Sequence, residues 1–269
     1  IGPNAILNIE PNVTIKKGSD RQIRVWGKIF ARGDQDGKIK FKDIFIALGD
    51  NKLTQLIFNN CIFFNYDFVH MMSSEIDDKR VEYNFENCEF YEDYDYSMNW
   101  KMSFDKDDSV KISIKDSFFN NAYLDICNVD YFEIKNNTFK NKSHLEICAT
   151  NSIFLQKNIF KKKSFLKIYD CKIQYKIVNN LFVANHEIPV LKIYEYSKTD
   201  NPVYHRIEYN TFLGSESISL ESNINLNAQQ NFWSTTDSNK IASMIYDGRQ
   251  TFDLDNYVDY RFYLHKHHN

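Results

Sequence analysis

Proline is scarce, at 4 residues in 269, so long paired strands meet few interruptions. No apolar run approaches the length of a membrane span, which excludes an integral membrane helix. Charge of one sign is lacking too: the formal net charge is −3, and it gives no overall pull toward nucleic acid or anionic lipid. The one basic run, Lys161-Lys162-Lys163, stands in a sequence with little arginine, and a nucleic-acid partner is not expected. There is no glycine-rich phosphate loop, no nucleophile elbow and no metal-ligand spacing, so no metal is expected. The chain opens at Ile1 without a basic or apolar leader. Either a targeting segment has been removed or this is part of a longer polypeptide.

What is present is a repeat. A six-residue phrase, apolar, any, turn-polar, small-or-Asn, any, aromatic, occurs eight times between Phe58 and Trp233. Its aromatic ends are Phe63, Phe90, Phe119, Phe139, Phe160, Phe182, Phe212 and Trp233, about 24 residues apart on average. Two residues before each aromatic sits Cys61, Cys88, Ser117, Asn137, Asn158, Asn180, Asn210 or Asn231. The period suits a solenoid. The Leu-x-x-Leu-x-Leu phrase of leucine-rich units is absent, and each period instead holds two or three short alternating β patterns with polar corners. Such strands coil into parallel sheets, each pairing with its equivalent one rung on, and parallel crossovers favour the right hand. The asparagines then stack as an amide ladder beside stacked rings. The fold class is therefore all-β: a right-handed parallel β-helix of roughly ten rungs with a short C-terminal capping helix. Residues 1–233 form the coil, and 234–269 a cap within the same domain, with a helix starting at Thr236-Asp237 and carrying Ile241, Met244 and Ile245. Tyr257-Val258-Asp259-Tyr260 reads as a closing strand.

Each of the later copies is followed by a second strand, Leu124-Asp125-Ile126, Leu145-Glu146-Ile147, Leu166-Lys167-Ile168, Leu191-Lys192-Ile193 and Ile218-Ser219-Leu220. Alternation turns the middle residues outward, so Asp125, Glu146, Lys167, Lys192 and Ser219 are expected to form one exposed row, followed by Tyr169 and Tyr194. A second row, Asn84, Ser113, Glu133, Phe154, Lys176 and Arg206, precedes the asparagine corner and holds no pair of acids. Surplus residues leave the rungs as loops near 66–80, 91–98 and 183–203, the middle one carrying Tyr94 and Tyr96. Loops on a rigid body are where binding residues collect. Residues 60–110 carry 13 acidic and 4 basic side chains and residues 111–180 carry 6 and 12, so one end of the rod is acidic and its middle basic. Five cysteines cannot all pair within the chain. Cys61 and Cys88 share one column, Cys127 and Cys148 another. A buried thiol is a good small core residue, and free thiols are favoured throughout.

Three stretches resemble the right-handed parallel β-helix repeat proteins of the pectin-lyase-like superfamily: residues 6–15 with 23–29 resemble its first rungs, the Asn-x-aromatic columns its repeat, and residues 231–237 with 241, 245–248 and 258–260 its C-terminal closure. The resemblance implies a scaffold that hosts lyases, hydrolases, epimerases, adhesins and structural rods, and it does not choose among them. A lyase of that kind needs an acidic cluster for calcium and a Lys or Arg base. The hydrolase arrangement, closely spaced Asp residues on consecutive rungs, is absent. Asp125, Glu146, Lys167 and Lys192 are thus the candidate catalytic residues, and Tyr169, Tyr194, Tyr94 and Tyr96 the candidate ligand-stacking residues. The competing explanation for the row is a solvated face on which opposite charges pair. The leading expectation is a non-catalytic extracellular or cell-surface module without cofactor, whose partner is a polysaccharide or a cell-surface protein. The rivals are a polysaccharide-active enzyme, lyase or epimerase before hydrolase, with Ca2+ if lyase-like, and a structural spacer of a larger fibre.

Overall fold

A computed structural model describes residues 1–16, 22–49, 53–70, 80–92, 100–103, 109–171, 174–184, 188–195, 205–214, 217–250 and 257–265. The chain is a parallel β-solenoid. One sheet has eleven strands, from Ile6–Ile9 to Val258–Asp259, and a second has nine, from Thr14–Lys16 to Thr211–Leu213. The third face is split. Strands Gln22–Val25, Phe45–Leu48 and Asp67–His70 form a short sheet, and seven strands from Trp100–Ser103 to Ile245–Tyr246 form a longer one. Taken three at a time, the strands from Ile6–Ile9 to Leu220–Ser222 make nine rungs, linked by about eight turns. The count falls slightly below the roughly ten expected because the last strands, Leu226–Asn227 and Val258–Asp259, extend only the first sheet.

The repeat phrase is the corner between the first two sheets. Its turn-polar position is held by Asn60, Asn87, Asp116, Asn136, Lys157, Asn179, Tyr209 and Gln230, all left-handed with φ between 50° and 58°. One such residue bends the chain sharply, and Asn and Asp tolerate that conformation because their short side chains bond locally. The next residue points into the coil. Asn137, Asn158, Asn180, Asn210 and Asn231 are buried there, and each amide Nδ2 donates to the Oδ1 of the next, from Asn137 to Asn158 at 3.1 Å, Asn158 to Asn180 at 3.0 Å, Asn180 to Asn210 at 3.0 Å and Asn210 to Asn231 at 3.1 Å. Toward the N-terminus Ser117, Cys88 and Cys61 take the same place. Their hydroxyl and thiols donate to backbone carbonyls, Ser117 Oγ to Lys115 O at 2.7 Å and Cys88 Sγ to Phe58 O at 3.6 Å.

Two residues on, the rings stack. Phe41, Phe63, Phe90, Phe119, Phe139, Phe160, Phe182, Phe212 and Trp233 follow one another at centroid distances from 4.3 to 5.2 Å and within 15° of parallel. Phe41 lies one rung before the first full copy of the phrase, so the column is longer than the phrase. Each of these rings buries a large apolar surface in the coil, and the column packs beside the Ile, Leu and Val side chains of the same core.

The cap is short. Helix Ser238–Ser243 is N-capped by Asp237, whose Oδ1 accepts from the Asn239 and Lys240 amides at 2.9 and 3.4 Å. Ile241 and Met244 are fully buried against the coil. Ile245 does not extend the helix as expected. It opens strand Ile245–Tyr246, which joins the third face beside Leu220. Buried Asp247 holds this end together, accepting from Arg249 Nη2 at 2.8 Å and from the Val258 amide at 2.7 Å.

Candidate functional site

The third face brings the sequence-predicted residues together. Parallel register aligns Asp125, Glu146, Lys167 and Lys192 across four successive strands. The fifth member is Glu221, which pairs with Lys192. Ser219 is not in the row: it lies two residues earlier and is fully buried. The Ile218-Ser219-Leu220 phrase mimics the repeat, but Leu220 is the residue that pairs with Leu191, which sets the frame. The row is also less exposed than alternation predicts. Asp125 is only 8% exposed, and Glu146, Lys167 and Lys192 are half-buried.

The charges on this row pair along the rod. Lys167 Nζ lies 3.3 Å from Glu146 and Lys192 Nζ 3.5 Å from Glu221. Lys167 also sits over the Tyr169 ring, 4.7 Å from its centroid. Half-buried pairs of this kind contribute about 0.2–1 kcal/mol each. Neither lysine is an unengaged base.

Two further outward columns flank the row. Tyr169 and Tyr194 are in register on one side, as expected. On the other, Tyr123, His144 and Phe165 stand in register; His144 packs edge-on against Tyr123 at 5.6 Å and stacks on Phe165 at 4.1 Å. This second column was not anticipated, although the residue preceding each Leu-x-Ile phrase carries the signal. Burial first lowers the His144 pKa, Glu146 opposing, so its ring stays neutral and stacks. The face therefore presents a charged stripe with Tyr123, His144 and Phe165 along one side and, along the other, Cys127 and Cys148 followed by Tyr169 and Tyr194, so that rings flank it on both sides at Lys167. Tyr94 and Tyr96 lie outside the described residues, as does most of each expected loop.

On the first face the second row is in register as read, Asn84, Ser113, Glu133, Phe154, Lys176 and Arg206. Its charges are spent locally: Glu133 meets Lys115 at 2.8 Å and Lys176 lies over Phe154. The second face carries a shallow cleft of about 340 Å³ where Lys38 pairs with Glu89, on a different sheet from the charged stripe.

Two acids that sequence reading assigned to loops are unusual. Burial pushes Glu92 up to about 8, with the negative charge of Asp67 adding to it, and burial pushes Asp67 up to about 6. One oxygen of each is buried without a hydrogen-bond partner. Near neutrality the pair holds at least one proton.

The cysteines divide. Cys61, Cys88 and Cys171 are free and buried, as favoured. Cys127 and Cys148 are instead joined as a disulfide with a Cα separation of 4.6 Å, which corrects the expectation of free thiols throughout. In-register neighbours on parallel strands come near the short end of the range a disulfide spans, and here both residues point outward, not into the packed core. Asp125, Cys127 and Cys148 place one ligand-type atom each within 4.8 Å of the others, a grouping that chain spacing did not reveal because the residues come from two rungs.

No helix among the described residues is long and apolar enough to cross a membrane. Compared with protein-family models, with curated proteins and with solved structures, the chain matches none, and the assignment to a parallel β-solenoid rests on its own register and hydrogen bonds.

Proposed function

We propose that this chain is an extracellular or cell-surface β-helix module that binds a polysaccharide or a cell-surface protein along its third face, on a scaffold of the pectin-lyase-like kind. The observation that carries the reading is the stripe just described: Glu146, Lys167 and Lys192 in register, with Tyr123, His144 and Phe165 along one side and Tyr169 and Tyr194 further along the other. Sugar rings stack their C–H faces on aromatic side chains, while charged groups bond hydroxyls and carboxylates. Successive rungs lie about 4.8 Å apart, so a chain laid along the rod meets a new polar or aromatic group at each step: Glu146 with His144, Lys167 with Phe165 and Tyr169, then Lys192 with Tyr194. The Cys127–Cys148 bridge suits an oxidising compartment.

A screen of the full chain against immobilised glycans tests this. Tyr194→Ala and Phe165→Ala should each weaken binding about tenfold, in line with the worth of an aromatic stacking contact, while the rod stays folded by circular dichroism. Binding unchanged in both variants overturns the reading.

A polysaccharide-active enzyme is the second reading, and Asp67 with Glu92 favours it, since one protonated and one ionised carboxyl are what glycoside chemistry uses. Depolymerisation of an acidic polysaccharide abolished by Glu92→Gln would establish it over the binding module. The same assay with Lys167→Ala tests the charged row as the catalytic set instead.

A further inference from the structure

The outward side of the third face carries two sulfurs beside a carboxylate. Asp125 and Cys127 are two residues apart on strand Tyr123–Cys127 and project on the same side. Cys148 is in register with Cys127 on the next rung. Asp125 and Cys127 are nearly buried, whereas Cys148 is half-exposed.

The spacing fits a metal. Cys127 Sγ lies 3.5 Å from Asp125 Oδ1. With metal–sulfur and metal–oxygen bonds of about 2.3 and 2.1 Å, a tetrahedral zinc centre places its sulfur and oxygen ligands about 3.6 Å apart. Two thiolates on one centre stand about 3.8 Å apart by the same geometry, and a Cα separation of 4.6 Å between in-register neighbours accommodates that. Among the described residues no other group of three such ligand atoms comes together.

The chemistry of the donors selects the ion. Thiolates reject the hard cations calcium and magnesium and suit zinc and its soft neighbours. The other three cysteines do not compete. Cys61, Cys88 and Cys171 are buried and face backbone carbonyls.

We propose that, when the bridge between them is opened, Cys127 and Cys148 together with Asp125 bind a single borderline-soft divalent metal ion of the zinc class, leaving a fourth position toward solvent. Opening the bridge takes two electrons and two protons. A thiol reductant supplies them by exchange: two RSH become RSSR while Cys127 and Cys148 become thiols. Metal binding then releases both thiol protons as the thiolates bond to the ion. The pair thus has two closed forms, bridged or metallated, and metal loading shields it from reoxidation.

The test uses the full chain reduced with a phosphine under inert gas and titrated with cobalt(II), whose thiolate charge-transfer absorption reports sulfur ligation. One equivalent should saturate the absorption, zinc should displace it, and chain left oxidised should show none. Cys148→Ser should abolish it, and Asp125→Asn should keep the absorption while weakening cobalt binding roughly tenfold. Absence of charge transfer in the reduced chain overturns the proposal, as does absorption undiminished in Cys148→Ser. Should the serine variant fail to fold, alkylation of the reduced wild-type chain decides: zinc should shield Cys127 and Cys148, identified by peptide mass, and equal labelling with and without zinc overturns the site.

Discussion

Asn158 Nδ2 lies 3.0 Å from Asn180 Oδ1, and the Asn158 backbone amide donates to the same oxygen at 2.8 Å. One oxygen therefore anchors both the side chain and the main chain of the rung before it. Asn158 Nδ2 also donates to Ile134 O at 2.9 Å, and Asn158 Oδ1 accepts from the Asn137 backbone amide at 3.0 Å. Replacing Asn158 with Ala strips partners from buried groups on both neighbouring rungs. Each orphaned group costs about 1–3 kcal/mol, so Asn158→Ala should lower unfolding free energy by about 3–5 kcal/mol in urea titration. Asn136→Ala, at the exposed left-handed corner of the preceding rung, should cost only about 1–2 kcal/mol, and Asn136→Gly less.

The ring column gives a second test. Phe160 stacks on Phe139 at 4.6 Å and on Phe182 at 5.2 Å and is fully buried. Phe160→Ala leaves a void between two rings that cannot close without shifting whole rungs. The expected cost is about 3–5 kcal/mol, read as a lower urea midpoint, and Phe160→Leu should cost less than half of that.

Two sites make stability depend on pH in opposite senses. His205 stacks on Tyr175 at 3.6 Å inside the coil, and burial lowers it to about 4. Glu195 lies 3.6 Å from its Nε2, yet burial outweighs that contact and the pair is neutral on the histidine side. A lowered folded pKa contributes stability that is present above about 6.5 and lost as pH falls toward about 4. Glu92 is the reverse. Its raised pKa contributes stability present below about 4.5 and lost as pH rises through about 8. Glu92→Gln should therefore gain on the wild type between about pH 5 and about pH 8, by about 1–2 kcal/mol after allowance for solvent screening. Urea midpoints of both proteins at the two pH values check this.

The ion pairs of the charged stripe should be nearly inert for stability. A double-mutant cycle on Glu146 and Lys167, 3.3 Å apart, should return a coupling of about 0.2–1 kcal/mol that shrinks with added salt. A larger coupling would mean that the face is organised as a structural network and not held ready for a ligand.

The capping helix is six residues long and depends on Asp237. Asp237→Ala should cost about 1 kcal/mol, and hydrogen exchange should show protection lost in residues 238–246 before the coil loses any.

The fold was legible because a solenoid writes the same demands into every turn. The left-handed corner favours Asn or Asp, the next position a buried amide, and the position two further on a ring, so the spacing of Asn137, Asn158 and Asn180 discloses the register. The candidate site was less legible. Its outward columns are unconstrained by packing, so Ser219 looked equivalent to Lys192 until the pairing of Leu191 with Leu220 set the frame. The Cys127–Cys148 bridge and its neighbour Asp125 come from adjacent rungs, and their closeness follows from register alone. Asp67 and Glu92 read only as loop acids, because burial, not sequence pattern, sets their protonation.

The head-to-tail amide column has one more consequence. Because every asparagine offers its successor the same donor and presents its predecessor with the same acceptor, a rung has no address of its own. Excising residues 138–158, the 21 residues that separate Asn137 from Asn158, would remove one strand from each face and set Asn137 directly beneath Asn180. It would also bring Asp125 alongside Lys167. The rod is in effect a ruler graduated in whole turns: its reach changes by copying or dropping a unit, and a one-residue slip is the change it cannot absorb.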